Sequence, residues 1–151
     1  MKLRDFLKIK SQTLITIGLK ETVSAAIQKL VDNNIGALPV CNEEGTLLGI
    51  VSERDLLKEC FQHCSAVGIT KIQDVMTKYV AMGFPEDDLD YVVSVMKQKR
   101  IRHLPIVVDQ KVKGIVSIRD IVDIQLEETK AQIRYIGLLP RRTGIEKRRL
   151  V

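Results

Sequence analysis

The chain has 151 residues, 45% of them hydrophobic and 28% charged, with 24 Lys+Arg against 19 Asp+Glu for a formal net charge of +5. Such a composition can bury a core and is not that of a disordered chain. No apolar run approaches the ~20 residues of a membrane-spanning helix, and three cysteines are too few, and odd in number, for a disulfide scaffold.

Met1-Lys2-Leu3-Arg4-Asp5-Phe6 holds no apolar signal core, so a cytoplasmic location is expected. Ile15-Thr16-Ile17 reads as a short extended piece. Thr22 reads as a helix N-cap, its hydroxyl accepting from an orphan backbone N–H. Val23, Ala26, Ile27, Leu30 and Val31 follow at helical spacing, and Asn33-Asn34 ends that helix. Ala37–Cys41 and Leu47–Val51 are short apolar strands around a glycine turn. A helix over Glu53–Gln62 follows. The order then returns. Asp88 stands as the second N-cap, and Leu89, Val92, Val93 and Met96 form the second helix face. Strands lie around Ile106 and Ile115, and a helix runs from Arg119 to Tyr135. Gly137 and Pro140 break the chain beyond it.

The return is a true repeat. Gly49-Ile50-Val51-Ser52-Glu53-Arg54-Asp55 recurs as Gly114-Ile115-Val116-Ser117-Ile118-Arg119-Asp120, six of seven positions identical at an offset of 65. Upstream, Ile35 to Val40 answers to Ile101 to Ile106 at an offset of 66. Two ordered matches separated by a one-residue turn deletion define two units, residues 8–66 and 72–130, with a tail over 131–151. Units of ~60 residues are marginal alone. The expected architecture is therefore α+β, two β-α-β-β-α units packed through their sheets about a pseudo-two-fold axis.

The charge is not spread evenly. Residues 1–70 hold 8 cations and 8 anions, residues 71–125 hold 9 and 8, and residues 126–151 hold 7 and 3. The basic excess thus belongs to the tail, which is either solvated or meets an anionic partner such as nucleic acid. Low aromatic content leaves few stacking platforms for single strands.

Ser52-x-x-Asp55 and Ser117-x-x-Asp120 each stand between a strand and a helix. Read plainly, they are capping boxes. The same geometry suits a phosphorylated ligand. A helix N-terminus offers unpaired N–H groups and a positive dipole end. An ionised carboxylate can accept from both hydroxyls of a ribose, and Arg54 or Arg119 can donate to phosphate. The two roles can coexist.

The doubled motif, the His103-Leu104-Pro105-Ile106-Val107 strand and the Asp74-Val75-Met76-Thr77 segment together resemble the CBS domain, named after cystathionine β-synthase. The chain as a whole resembles a stand-alone CBS-domain pair. That resemblance implies a regulatory module that is not an enzyme, binds an adenosine-containing nucleotide and forms a homodimer. AMP stands first among the ligands it implies, with ADP, ATP, NAD or S-adenosylmethionine as the others. It implies a role for the matching Asp on ribose hydroxyls. The implied binding set is Ser117, Arg119, Asp120, Arg102, His103, Pro105 and Ile101, with Ser52, Arg54, Asp55, Ala37 and Pro39 from the first unit. Arg102 and His103 have only Gly36 and Ala37 as counterparts, so the Asp120 cleft is expected to be the better phosphate site. Beyond the nucleotide, the expected partner is a regulated protein of unstated identity, with no membrane role. The alternative is a ligand-free dimeric scaffold whose basic tail binds protein or nucleic acid.

Other signals read plainly. Cys60-Phe61-Gln62-His63-Cys64 lacks an evident fourth metal ligand and reads as a helix end with two small thiols. Glu86-Asp87-Asp88 with Asp90 reads as acids at a helix N-terminus. No nucleophile–base–acid set, Walker loop or Gly-x-Gly-x-x-Gly turn is present, and neither a catalytic residue nor a metal or cofactor is assigned.

Overall fold

Ten short elements and one long helix make up the structure, a computed structural model that describes residues 1–10 and 13–138. Met1–Ile118 forms one compact unit, and the residues from Arg119 onward form a second, described separately.

In the first unit the chain runs α1 (Leu3–Ile9), α2 (Val23–Asn33), β1 (Ala37–Cys41), β2 (Leu47–Ser52) and α3 (Glu53–Gln62). Two single 3₁₀ turns follow, Cys64–Ala66 and Ile72–Asp74, then α4 (Leu89–Lys99), β3 (His103–Val108) and β4 (Lys111–Ser117). Each strand pair is an antiparallel hairpin, with Ala37 opposite Ser52 in the first and His103 opposite Ser117 in the second. The expected opening strands are reduced to one parallel bridge each, Ile17 to Val40 and Gly83 to Ile106. Both bridges sit at the 66-residue offset of the repeat. The hairpins meet at Thr46 and Lys111, where Leu47 N donates to Gln110 O (3.3 Å) and Val112 N to Gly45 O (3.1 Å).

The helix ends follow local chemistry. Thr22 Oγ1 accepts from Ala25 N at 3.1 Å, as expected of an N-cap. Asn34 ends α2 in the left-handed region, which asparagine tolerates. Asp88 occupies the N-cap position of α4, but its side chain makes no capping bond. It is drawn instead to Lys2 Nζ, 2.9 Å away.

That pair belongs to a helix the sequence reading lacks. α1 docks on the second repeat: Leu3 N donates to Asp87 O (2.9 Å), Arg4 N to Pro85 O (3.0 Å), and Arg4 pairs with Glu86 at 2.7 Å. Leu3 and Phe6 are buried. The linker does the reciprocal. Ile72 is wholly buried in the core of the first repeat with Val23, Leu30, Leu38, Val51 and Leu56. Thr77 exchanges backbone bonds with Ile50, at 2.9 and 3.0 Å. Each repeat is thus completed by the segment that precedes the other. The carboxylates of Glu86 and Asp88 serve this docking, while Asp87 Oδ2 closes the local turn by accepting from Phe84 N at 2.8 Å.

The second unit holds α5 (Ile118–Leu138), whose first residue closes the first unit. Gly137 does not break it, so the tail boundary expected at 131 falls inside a continuous helix. Pro140 and the basic cluster at 141–149 lie outside the described residues. No helix among the described residues is long and apolar enough to cross a membrane.

Candidate functional site

Two cavities lie in the first unit. The larger, about 340 Å³, is opened by Ser52, Glu53, Arg54 and Asp55 at the start of α3. Tyr79, Val80 and Ala81 wall it from the linker side, and Lys99, Arg100, Ile101, Arg102 and His103 from the end of α4 and the start of β3. The second, about 300 Å³, is lined by Leu14, Ile15, Ile35, Ala37, Gly114 and Ile115 with Lys10 and Lys113. Most of its lining is the first cavity's at the repeat offset: Leu14 and Ile15 match Val80 and Ala81, Ile35 matches Ile101, and Ala37 matches His103.

Arg102 and His103 line the cavity opened by Ser52–Asp55, and His103 also stands opposite Ser117 in its own hairpin. The physical reason is the pseudo-two-fold pairing: each cavity joins the strand exit of one repeat to the strand entrance of the other. Gly36 makes room for the contact. A Cβ there would stand 2.9 Å from His103 Nε2 and 3.5 Å from Glu53 Cδ.

Asp55 carries the capping box and has capacity left over. Its Oδ2 accepts from Ser52 N at 2.8 Å and from Ser52 Oγ at 3.0 Å, while Ser52 Oγ accepts from Asp55 N at 3.5 Å. Its Oδ1 accepts nothing among the described residues. The carboxylate is half-buried and held at the start of a ten-residue helix. Around it stand Arg54, Lys99, Arg100 and Arg102, none ion-paired among the described residues. Arg100 is held at φ 54°, in the left-handed region, as the C-cap of α4. A cavity carrying four unpaired cations, one spare carboxylate oxygen and an apolar side of Ile50, Val80, Ala81 and Ile101 fits a small anion bearing hydroxyls and a flat apolar group.

The other expected residues are placed as follows. Ala37 lines the second cavity and Ile101 the first. Pro39 and Pro105 are buried strand residues that line neither; their carbonyls accept from Ile17 N (3.0 Å) and Gly83 N (2.8 Å). Ser117 ends β4, and Arg119 and Asp120 stand in the first turn of α5. Lys99, Arg100 and Tyr79–Ala81 are cavity residues that the sequence reading missed. Arg100 was findable as the counterpart of Asn34. In the thiol segment α3 ends at Gln62, His63 caps it and bonds Glu59 at 3.2 Å, and Cys64 begins a 3₁₀ turn. No cluster of metal-ligating side chains occurs among the described residues.

The paired hairpins and the reciprocal linkers define a tandem α+β repeat module, and its matches among known proteins agree. The CBS domain family model matches residues 4–61 and 72–127, and the chain belongs to that family. It is 32% identical over 122 residues to the mitochondrial CBS domain-containing protein CBSX3 of Arabidopsis thaliana, covering 78% of this chain and 59% of that relative's length. The CBS-domain containing protein ATU1752 from Agrobacterium tumefaciens superposes with a TM-score of 0.77 at 30% identity, over 83% of this chain and 99% of that one. The CBS domain pair of protein MJ0100, crystallised with 5′-methylthioadenosine and S-adenosyl-L-methionine, gives 0.75 at 28% identity, over 85% and 98%.

Proposed function

We propose that this CBS pair is a cytoplasmic regulatory module that binds an adenosine-containing nucleotide, AMP first among the candidates, in the cavity opened by Ser52–Asp55. The observation that carries the reading is the spare Oδ1 of Asp55 in a cavity lined by four cations that, among the described residues, have no carboxylate partners. The ribose hydroxyls donate to that oxygen. The phosphate takes charge-assisted bonds from Arg54 and Arg102, with Lys99 and Arg100 within the same wall. The base lies on Ile50, Val80, Ala81 and Ile101. The adenosine ligands of the MJ0100 pair support the nucleoside part of this reading.

The role is binding without turnover. A ligand that bridges the start of α3, the end of α4 and the linker acts by favouring one arrangement of those elements, and so of the surface shown to a regulated protein. Thermal-shift titration with AMP, ADP, ATP, NAD and S-adenosylmethionine tests it, because a ligand of the native state raises stability by RT ln(1 + [L]/Kd). At least one nucleotide should raise the midpoint, and Asp55→Ala should abolish the rise. Absence of any rise at millimolar nucleotide would favour the ligand-free scaffold. A rise kept by Asp55→Ala and lost with Asp120→Ala would move the site to the second repeat.

A further inference from the structure

The two cavities share a wall but not its covering. Ile115, Leu14, Ile15 and Ile35 line the second cavity as Ile50, Val80, Ala81 and Ile101 line the first. Lys10 breaks the correspondence. It lines the second cavity, while Met76, its counterpart at the 66-residue offset, does not line the first. The cause is how each glycine of the repeated motif is covered. A Cβ at Gly49 would meet Met76 Sδ at 2.7 Å, so Met76 fills that space. The same space at Gly114 is filled by Leu7, three residues before Lys10. Lys10 is left to turn into the cavity, where it is half-buried. Its Nζ donates to Ile115 O at 2.8 Å and lies 5.6 Å from the centre of the buried Phe6 ring. A carbonyl and a π face thus hold the ammonium against the apolar wall.

We propose, resting on the nucleotide reading of the first cavity, that Lys10 is a tethered competitor for the second. Its ammonium stands where the base would lie, so a nucleotide enters only when the end of α1 lifts away. A base needs the Ile115 wall bare. Baring it breaks a charge-assisted hydrogen bond and the ring contact. The first cavity has no such plug. There Ile50 O accepts from Thr77 N at 2.9 Å, a backbone donor that carries no charge into the cavity. Lys10 is the C-cap of α1, outside the turns that bury Leu3 and Phe6. It can therefore withdraw while the rest of α1 stays docked. The cavities fill in order, the first by free nucleotide and the second only against α1.

Titration calorimetry of the full chain with AMP and with adenosine tests this. Adenosine is included because Asn33, Asn34 and Gly36 stand where the first cavity has Lys99, Arg100 and Arg102, so phosphate contributes less in the second. The parent should take up one equivalent of AMP. Lys10→Met, which installs the first repeat's residue, and Lys10→Ala should each add a second event with AMP or adenosine. That event should be at least roughly tenfold tighter than any second event in the parent, as loss of a competing charged hydrogen bond implies. Lys10→Arg keeps the charge and should behave as the parent. Asp55→Ala should bind neither probe, and adding Lys10→Met to it should create one site. One equivalent in the parent and still one in both Lys10→Met and Lys10→Ala would overturn the plug and leave the first-cavity reading standing. Two equal events in the parent would also overturn it. No uptake by the parent with one equivalent in Lys10→Met would support the plug and overturn the first-cavity reading. No uptake by any variant would overturn both.

Discussion

Gly49→Ala tests the coupling between fold and cavity most sharply. Gly49 is buried in β2 opposite Val40. A Cβ there would lie 2.7 Å from Met76 Sδ and 2.8 Å from the carbonyl oxygen of Thr77. The thioether can swing aside, but the carbonyl accepts from Ile50 N at 3.0 Å, and Thr77 N donates back to Ile50 O at 2.9 Å. Relief requires the linker backbone to retreat by about half an ångström, loosening two hydrogen bonds worth about 1 kcal/mol each. Overpacking adds a penalty of about 1 kcal/mol or more, and the lower unfolded-state entropy of Ala returns about 0.5–1 kcal/mol. The net loss is about 2 kcal/mol, or roughly 4–8 °C in Tm for a chain of this size. Calorimetric melting, with urea titration to check that the m-value is unchanged, measures it. Nucleotide affinity should fall as well, because the same linker carries Tyr79–Ala81 along the cavity wall. Gly68→Ala, with nothing within 4 Å of its added Cβ, is the control. A Gly49→Ala midpoint within 2 °C of the parent would refute the reasoning, roughly 2 °C being less than 1 kcal/mol.

Further outcomes are expected. Arg100→Asn should raise stability by about 1 kcal/mol, since the left-handed region costs ordinary residues about that much, while weakening nucleotide binding several-fold; melting and titration calorimetry read the two together, and a lowered midpoint contradicts it. Arg102→Ala should weaken nucleotide binding about tenfold and flatten its salt dependence, as loss of a charge-assisted bond does; unchanged affinity and salt slope would remove Arg102 from the site. Leu3→Ala, at a wholly buried position, should cost about 3 kcal/mol, and a loss under about 1 kcal/mol by urea titration would mean α1 is not part of the second core. Burial raises the Cys41 thiol above its ordinary range. Its contribution to stability is therefore intact below the unfolded value of about 8.5 and is lost as pH rises toward the higher folded value. Cys41→Val should flatten that alkaline decline relative to the parent. A thiol reagent should label exposed Cys64 in the native state and Cys41 only on unfolding.

The local elements were legible because their signals are local. A short unbroken apolar run marks Ala37–Cys41, which is buried throughout, and Ser52 with Asp55 starts α3 at Glu53 through their own hydrogen bonds. α1 was not legible. Leu3, Phe6 and Leu7 have helical spacing, but seven residues hold no helix without docking, and the dock lies more than eighty residues away. The cavity was half legible for the same reason. Asp55 and its counterpart are visible as a repeated motif. That Arg102 and His103 line a cavity with Asp55 follows only when the repeats face each other and exchange ends. Helix α5 outran its expected end because one glycine costs a helix only about 1 kcal/mol.

The reciprocal docking has a consequence for how the chain is made. α1 leaves the ribosome before the other elements, yet its contacts wait for residues 83–115: Lys10 Nζ donates to Ile115 O, 105 positions later, and Leu7 packs where a Cβ at Gly114 would stand. During synthesis Leu3 and Phe6 remain exposed until nearly the whole first unit has emerged. The first repeat closes earlier, once Ile72 and Thr77 are out. Assembly is thus ordered, first core before second, and a nascent chain stalled between about residues 80 and 110 would hold one finished core and an α1 whose apolar face is unsatisfied, the state in which it is most open to chaperones and to aggregation.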